Sequence, residues 1–164
     1  MSRPLLCHPG FRSSAVRSLR ARVRRMPSGA LAVNFKLDAD LERLQIPSRR
    51  PRRFRDGLWR HTCFEVFVAT RARAYQEYNL SPSSEWASYA FSSYRKRAAA
   101  TPLPPRIRVR RNGLDATIAA KGRLKIGLCA VIEEKNGSLS YWALRHPRGK
   151  PDFHHRRAFA LELG

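Results

Sequence analysis

The stretch Asp56 to Tyr94 reads DGLWRHTCFEVFVATRARAYQEYNLSPSSEWASYAFSSY, and three strands in succession are legible in it. From His61 to Val68, Phe64, Val66 and Val68 alternate with Cys63, Glu65 and Phe67, the period of two that sends successive side chains to opposite faces of a sheet. From Tyr75 to Leu80, Tyr75, Glu77 and Asn79 alternate with Gln76, Tyr78 and Leu80. Ser81-Pro82-Ser83-Ser84 then turns the chain into a third strand, Trp86 to Phe91. Trp59, Trp86, Tyr89 and Tyr94 stand near Glu65, Glu77 and Asn79. Aromatic plates beside hydrogen-bonding groups suit a polar small-molecule site, and they equally suit half-buried sheet faces. Glu65 and Glu77 sit among residues fit for burial, where an unpaired carboxylate is costly. Arg95 is the candidate partner.

Working outward, the same alternation recurs. Leu19, Ala21 and Val23 alternate with Arg20, Arg22 and Arg24; Met26-Pro27-Ser28-Gly29 turns; Leu31, Val33, Phe35 and Leu37 follow as a second strand. The arginine row is therefore a solvated strand face before it is a nucleic-acid arm. Asp40 to Arg55 is a connection, with one helical turn around Leu41 to Leu44 ended by Pro47. Residues 47–56 then predict an exposed basic loop, partly mobile, with Arg49, Arg50, Arg52, Arg53 and Arg55 repelling one another. Downstream, Ile107 and Val109 pass through Asn112-Gly113 to Leu114, Ala116 and Ile118, a hairpin signal. Leu124 to Ile132, Leu139 to Leu144 and a closing strand ending at Leu163 complete about nine strands, with no helix of ordinary length. Met1 to Ser14 reads as irregular. This predicts an all-β, antiparallel sandwich in a single domain spanning residues 1–164.

Composition narrows the function classes. The 33 basic residues against 12 acids give +21, which fits a polyanion partner. Residues 1–60 carry +11 and residues 61–164 carry +10, so the excess is spread rather than gathered in a tail, and polyanion binding is expected to be weak. Cys7, Cys63 and Cys129 are too few and too scattered for a disulfide framework. No signal-peptide h-region or membrane-length apolar run is present, so a cytoplasmic protein without a membrane role is expected. Gly-rich phosphate loops, Cys-x-x-Cys pairs and nucleophile elbows are absent. His146, Asp152, His154 and His155 cluster near the C-terminus, but His154 and His155, adjacent in a strand, would point to opposite faces. No metal site is expected there.

The segments LWRHTCFEVFV, YQEYNLSPSSEWASYAFSSYR, LKIGLCAVIEEKNGSLSYWAL and HPRGKPDFHHRRAFALEL resemble the bacterial DOMON-like proteins related to family-9 carbohydrate-binding modules. The resemblance runs from about Cys7 to the end and implies a jelly-roll-like sandwich. In the sugar-binding modules two tryptophans clamp a terminal sugar while a Glu, an Arg and amides bond its hydroxyls. By that resemblance Trp59 and Glu65 stand as the first Trp and its Glu, Trp142 as the second Trp, and Arg95 as the Arg. The modules' calcium-holding acidic turn has no clear counterpart here. Haem, held in other DOMON relatives by a Met and a His, finds neither Met1 nor Met26 in a matching motif. No cofactor is expected.

The sequence reading is thus a non-catalytic module binding a carbohydrate or related polar metabolite on a concave sheet face. Trp59, Glu65, Arg95 and Trp142 are its contacts, with Glu77, Asn79, Trp86 and Tyr89 as further candidates. Two alternatives stay open: a basic protein binding nucleic acid through Arg49 to Arg55 and the Arg20–Arg24 face, and a glycoside-processing enzyme using Glu65 and Glu77.

Overall fold

The computed structural model describes residues 2–69 and 73–164. Among them are twelve strands: β1 Arg3–Cys7, β2 Val16–Arg25, β3 Leu31–Ala39, β4 Cys63–Ala69, β5 Tyr75–Leu80, β6 Trp86–Ser93, β7 Lys96–Ala98, β8 Arg106–Arg110, β9 Gly113–Ile118, β10 Leu124–Glu133, β11 Leu139–Ala143 and β12 Leu161–Leu163. The described helical pieces are single 3-10 turns at Leu41–Arg43, Leu58–Arg60 and Arg156–Ala158. The fold is all-β and antiparallel. The count of about nine strands is corrected to twelve, in one continuous hydrogen-bonded path β7-β6-β5-β4-β10-β11-β1-β2-β3-β9-β8, with β12 beside β10.

Two strands outside that count, β1 and β7, have weak signals for a physical reason. In β1 only Leu5 is buried, and Pro4 removes a ladder donor, so no alternation betrays it. Yet β1 joins the two halves of the path: Arg3, Pro4 and Leu5 pair with β2, whereas Leu6 and Cys7 pair with β11. The three residues of β7 are all exposed, and they pair β6 across a register shift.

One face of each half packs into a common core. Phe64, Val66 and Val68 of β4, Leu80 of β5 and Leu128 of β10 share a buried cluster with Leu19 of β2, Phe35 of β3 and Leu114 of β9. Phe35 and Phe64 meet with ring centroids 5.0 Å apart. Each such large apolar side chain contributes about 1.5–3 kcal/mol on burial, and the cluster fixes which parity of each strand points inward.

The opposite face of β4 is buried as well, since every residue of that strand is covered. Phe153, Ala158 and Phe159, from the segment between β11 and β12, lie over Phe67, Cys129 and Val131. Phe159 stacks on Phe67 at 5.6 Å between centroids. Its seat is Gly127, where an added Cβ would stand 2.9 Å from Phe159 Cδ1 and 3.3 Å from Phe67 Cβ.

The basic segment is exposed but is not a free loop. Arg50 N–H donates to Ser83 O, Arg55 N–H to Trp86 O, and Trp86 N–H to Arg53 O. Arg49 reaches Ser84 Oγ at 3.0 Å and Val109 O at 2.8 Å, and Arg52 reaches Pro105 O at 2.6 Å. Arg53 and Arg55 pair with the buried Glu85 at 3.0 and 3.3 Å. Burial alone would raise the Glu85 carboxyl, but bonds from Arg53 and Ser83 and the charges of Arg55 and Arg53 hold it below its ordinary value. Internal acceptors thus overcome the like-charge repulsion expected of a bare arginine run.

Gly127→Ala should therefore lift Phe159 off its seat. Overpacking of this kind destabilises by about 1–3 kcal/mol, read as a lower midpoint in urea. Limited proteolysis should cut faster within residues 150–160. Unchanged stability and protection would show that the contact is not limiting.

Candidate functional site

A cavity of about 580 Å³ opens on the outward face of β4, β5, β10 and β11, beneath the segment that Phe159 anchors. Glu65 and Glu77 line its base. In the β4–β5 register Glu65 lies opposite Asn79 and Glu77 opposite Phe67, so the two carboxyls are diagonal neighbours on one face, within side-chain reach. Trp59 and Arg60 enter from the Leu58–Arg60 turn, and Arg95 and Arg97 from the β6–β7 hairpin. Tyr141 and Leu139 rise from β11; Phe153 and His154 close the far side.

Of the four residues carried by the resemblance, Trp59, Glu65 and Arg95 come to this cavity, and Glu77 joins them. Trp142 does not. It is 6% exposed and belongs to the core cluster, with its indole N–H donated to Ser140 Oγ at 2.9 Å. Its neighbour Tyr141 faces the cavity instead, because successive strand residues point to opposite faces. Asn79 is fully buried and donates its amide to Glu77 Oε1 at 2.7 Å, so it supports the base from the side, on the same face as Glu77. Trp86 lies opposite Leu80 on the core-facing parity, edge-on to Phe54, away from the cavity. Tyr89 sits beside Trp59 at 5.7 Å between centroids, under the Arg97 guanidinium at 4.0 Å, with its hydroxyl on Asp56 Oδ1.

Glu65 is 3% exposed and makes no hydrogen bond or ion pair with any described residue. Burial drives its carboxyl well above the ordinary 4.5, and the Glu77 charge adds to the shift. Glu77 is raised by burial too, but the Asn79 amide and the charges of Arg97 and Arg95 hold the rise back. Glu77 Oε2 stands 3.7 Å from His154 Nε2.

The C-terminal histidines are not in a strand, as the sequence suggested; they lie in the loop before the Arg156–Ala158 turn. There they part company. His155 accepts the Arg157 N–H and caps that turn, whereas His154 faces the cavity. Tyr75 Oη accepts the Arg95 N–H at 3.0 Å and has its proton free for His154 Nδ1 at 2.8 Å. This network assigns the imidazole proton to Nε2, directed toward Glu77. Burial, Arg95 and Arg97 push His154 down to about 4, against the pull of Asp152, so the ring is neutral at pH 7. Arg95 donates to Asp152 Oδ1 at 3.0 Å and to Tyr94 Oη at 3.2 Å. Arg95 has φ of +53°, a left-handed conformation uncommon outside glycine.

Arg60, Arg97, Tyr141 and His154 are site-lining residues that strand patterning passed over. Arg60 and Arg97 lie just outside the recognised strands. Tyr141 was legible from parity, two residues on from Leu139. A second depression, of about 830 Å³, lies between Arg17, Arg20, Lys36 and Arg111. Its Arg17–Asp38 pair is more than half exposed on both sides, and no aromatic ring lines it, so it lacks the chemistry of the first. Among the described residues no three His, Cys, Asp or Glu side chains form a metal-holding group, and no helix is long and apolar enough to cross a membrane.

No protein-family model matches the chain, and no curated protein matches it in sequence. A crystal structure of a candidate carbohydrate-binding protein from Bacteroides uniformis is similar in fold, with a TM-score of 0.64 over 96% of this chain and 83% of that one. At 11% identity, the likeness is one of fold.

The raised carboxyl makes a stability prediction. A group whose pKa rises on folding lends stability that is complete below its unfolded value and is lost as pH climbs through its folded value. Glu65→Gln keeps the shape and removes the ionisation. It should raise stability at pH 8 by about 1–2 kcal/mol, the order of an unsatisfied buried polar group, and change it little near pH 4. A Tm difference that does not grow with pH would refute the assignment.

Proposed function

We propose that this chain is a non-catalytic binding module whose outward cavity takes a carbohydrate or a related polar metabolite. We further read its doubled-over sheet as a variant of the jelly-roll-like sandwich of DOMON-like and family-9 modules. One observation carries the functional reading: Glu65, buried and without a described partner, faces an open cavity beside Trp59 and Tyr141. Its carboxyl opens to the cavity rather than to a described protein partner, so a ligand hydroxyl would supply the hydrogen bond that the protein does not. A pyranose supplies hydroxyls at its rim and C–H groups on its faces, matching carboxyls at the base and aromatic rings at the wall. The fold likeness to a candidate carbohydrate-binding protein supports the same reading.

In this reading Trp59 and Tyr141 contact the sugar ring, and Glu65 and Glu77 bond its hydroxyls. His154 and Asn79 fix Glu77, while Arg95, held by Asp152, shapes the wall. Trp142 is a core residue and no ligand contact.

Titration with a panel of monosaccharides and disaccharides should change tryptophan fluorescence. Trp59→Ala should weaken binding at least tenfold, about 1.4 kcal/mol. Trp142→Phe should leave the affinity unchanged at some cost in stability. Binding that ignores Trp59 would overturn the site. Glycoside turnover lost in both Glu65→Gln and Glu77→Gln would replace the binding reading with an enzymatic one.

A further inference from the structure

Three guanidinium groups line the cavity, and their compensation is uneven. Arg95 is held by Asp152 at 3.0 Å, with Tyr94 adding a second hold on both groups. Arg97 reaches Asp56 only at 3.9 Å, too long for a hydrogen bond, and both side chains are more than half exposed. Such a pair is worth little. Arg60 makes no ion pair among the described residues; its guanidinium lies 5.9 Å from the centroid of the Trp59 ring. Arg97 lies 5.8 Å from the same ring. Two weakly compensated cations therefore flank the aromatic plate on which a sugar would rest.

The base offsets them only in part. Glu65 and Glu77 are diagonal neighbours; burial and the Glu77 charge drive Glu65 well toward its neutral form, two adjacent buried carboxyls resist ionising together, and it is Glu77 that feels the charges of Arg97 and Arg95. His154 and Asn79, the partners of Glu77, bring no charge at neutral pH. The cavity thus sets two carboxyls that resist ionising together beneath three guanidinium groups, of which Arg60 has no ion pair among the described residues and Arg97 only a long one. A neutral sugar would satisfy the base and leave the rim hydrated. A cationic sugar would be repelled by the rim.

We infer, resting on the carbohydrate reading, that the cavity is built for an anionic sugar. Its ring and hydroxyls would sit on Trp59, Glu65 and Glu77, and its single carboxylate or phosphate would lie between Arg60 and Arg97. The planar guanidinium fork matches both anions by paired charge-assisted hydrogen bonds. Preference for the anion should weaken with salt, because these arginines lie at the exposed rim where counterions screen them.

The test is calorimetric titration of the full chain with glucuronate, glucose 6-phosphate, glucose and glucosamine at low and physiological salt. One of the two anionic sugars should bind at least tenfold tighter than glucose, and which one it is separates carboxylate from phosphate recognition. The Arg60→Gln, Arg97→Gln double variant, shown by its Tm to be folded, should bring that ratio below threefold. Arg97→Lys should retain part of it. Glucose or glucosamine binding as tightly as both anions would overturn the inference and leave the carbohydrate reading standing. Binding of none of the four, nor of the wider sugar panel, would overturn both.

Discussion

Phe159 reaches the surface of Phe67 because position 127 carries no side chain. The stacked pair at 5.6 Å holds the segment from Phe153 to Phe159 against the outward face of β4 and β10, a face that would otherwise carry an apolar patch into solvent. Once that segment is seated, Phe153 and His154 form a wall, and the ground between them and Trp59 becomes a cavity rather than an open sheet. A glycine inside a strand is normally a weakness, costing chain entropy and offering nothing to pack. Here the close approach it permits gives the outward face a second layer, and so makes room for a site.

That second layer explains why the chemistry lies on the face away from the main core. In β4 the core-facing residues, Phe64, Val66 and Val68, are uniformly apolar, whereas the outward ones are mixed: Cys63, Glu65, Phe67 and Ala69. Covering such a face completely would strand Glu65 in an apolar setting. Covering part of it keeps Phe67 dry and leaves Glu65 at the edge of the opening. Asn79 and His154 then flank Glu77, with Tyr75 fixing the histidine tautomer, while no comparable partner is supplied to Glu65 among the described residues. The asymmetry between the two carboxyls is a property of the covering segment as much as of the strands that carry them.

The sequence makes much of this legible, and its failures are local. Alternation within CFEVFVA and YQEYNL assigns Glu65 and Glu77 to one face through the strand period alone. The same rule, applied to LSYWA, separates Tyr141 from Trp142. Resemblance favoured the tryptophan, and a shift of one position in a strand changes the face entirely. β1 escaped because a strand that passes from one half of the sheet to the other serves neither face for long enough to alternate. The arginines of residues 49–55 predicted repulsion because their acceptors, Glu85 and the carbonyls of Pro105 and Val109, lie 30 to 60 residues away in sequence. His154 could not be assigned from period two, since it belongs to a loop set by Phe159 and Tyr75.

The high positive charge takes on a different meaning once these partners are in place. Arg49, Arg52, Arg53 and Arg55 are engaged with internal acceptors, and so are Arg17, Arg43, Arg95 and Arg110. Net charge is therefore a poor guide to where an anion would be recognised. What matters is a guanidinium that is weakly compensated, fixed in place and adjacent to other recognition chemistry. Arg20, Arg22 and Arg24 are not set beside such chemistry, whereas Arg60 and Arg97 are held against Trp59 at the mouth of the cavity. Local compensation, rather than the total of +21, is the better guide to where an anion would be recognised.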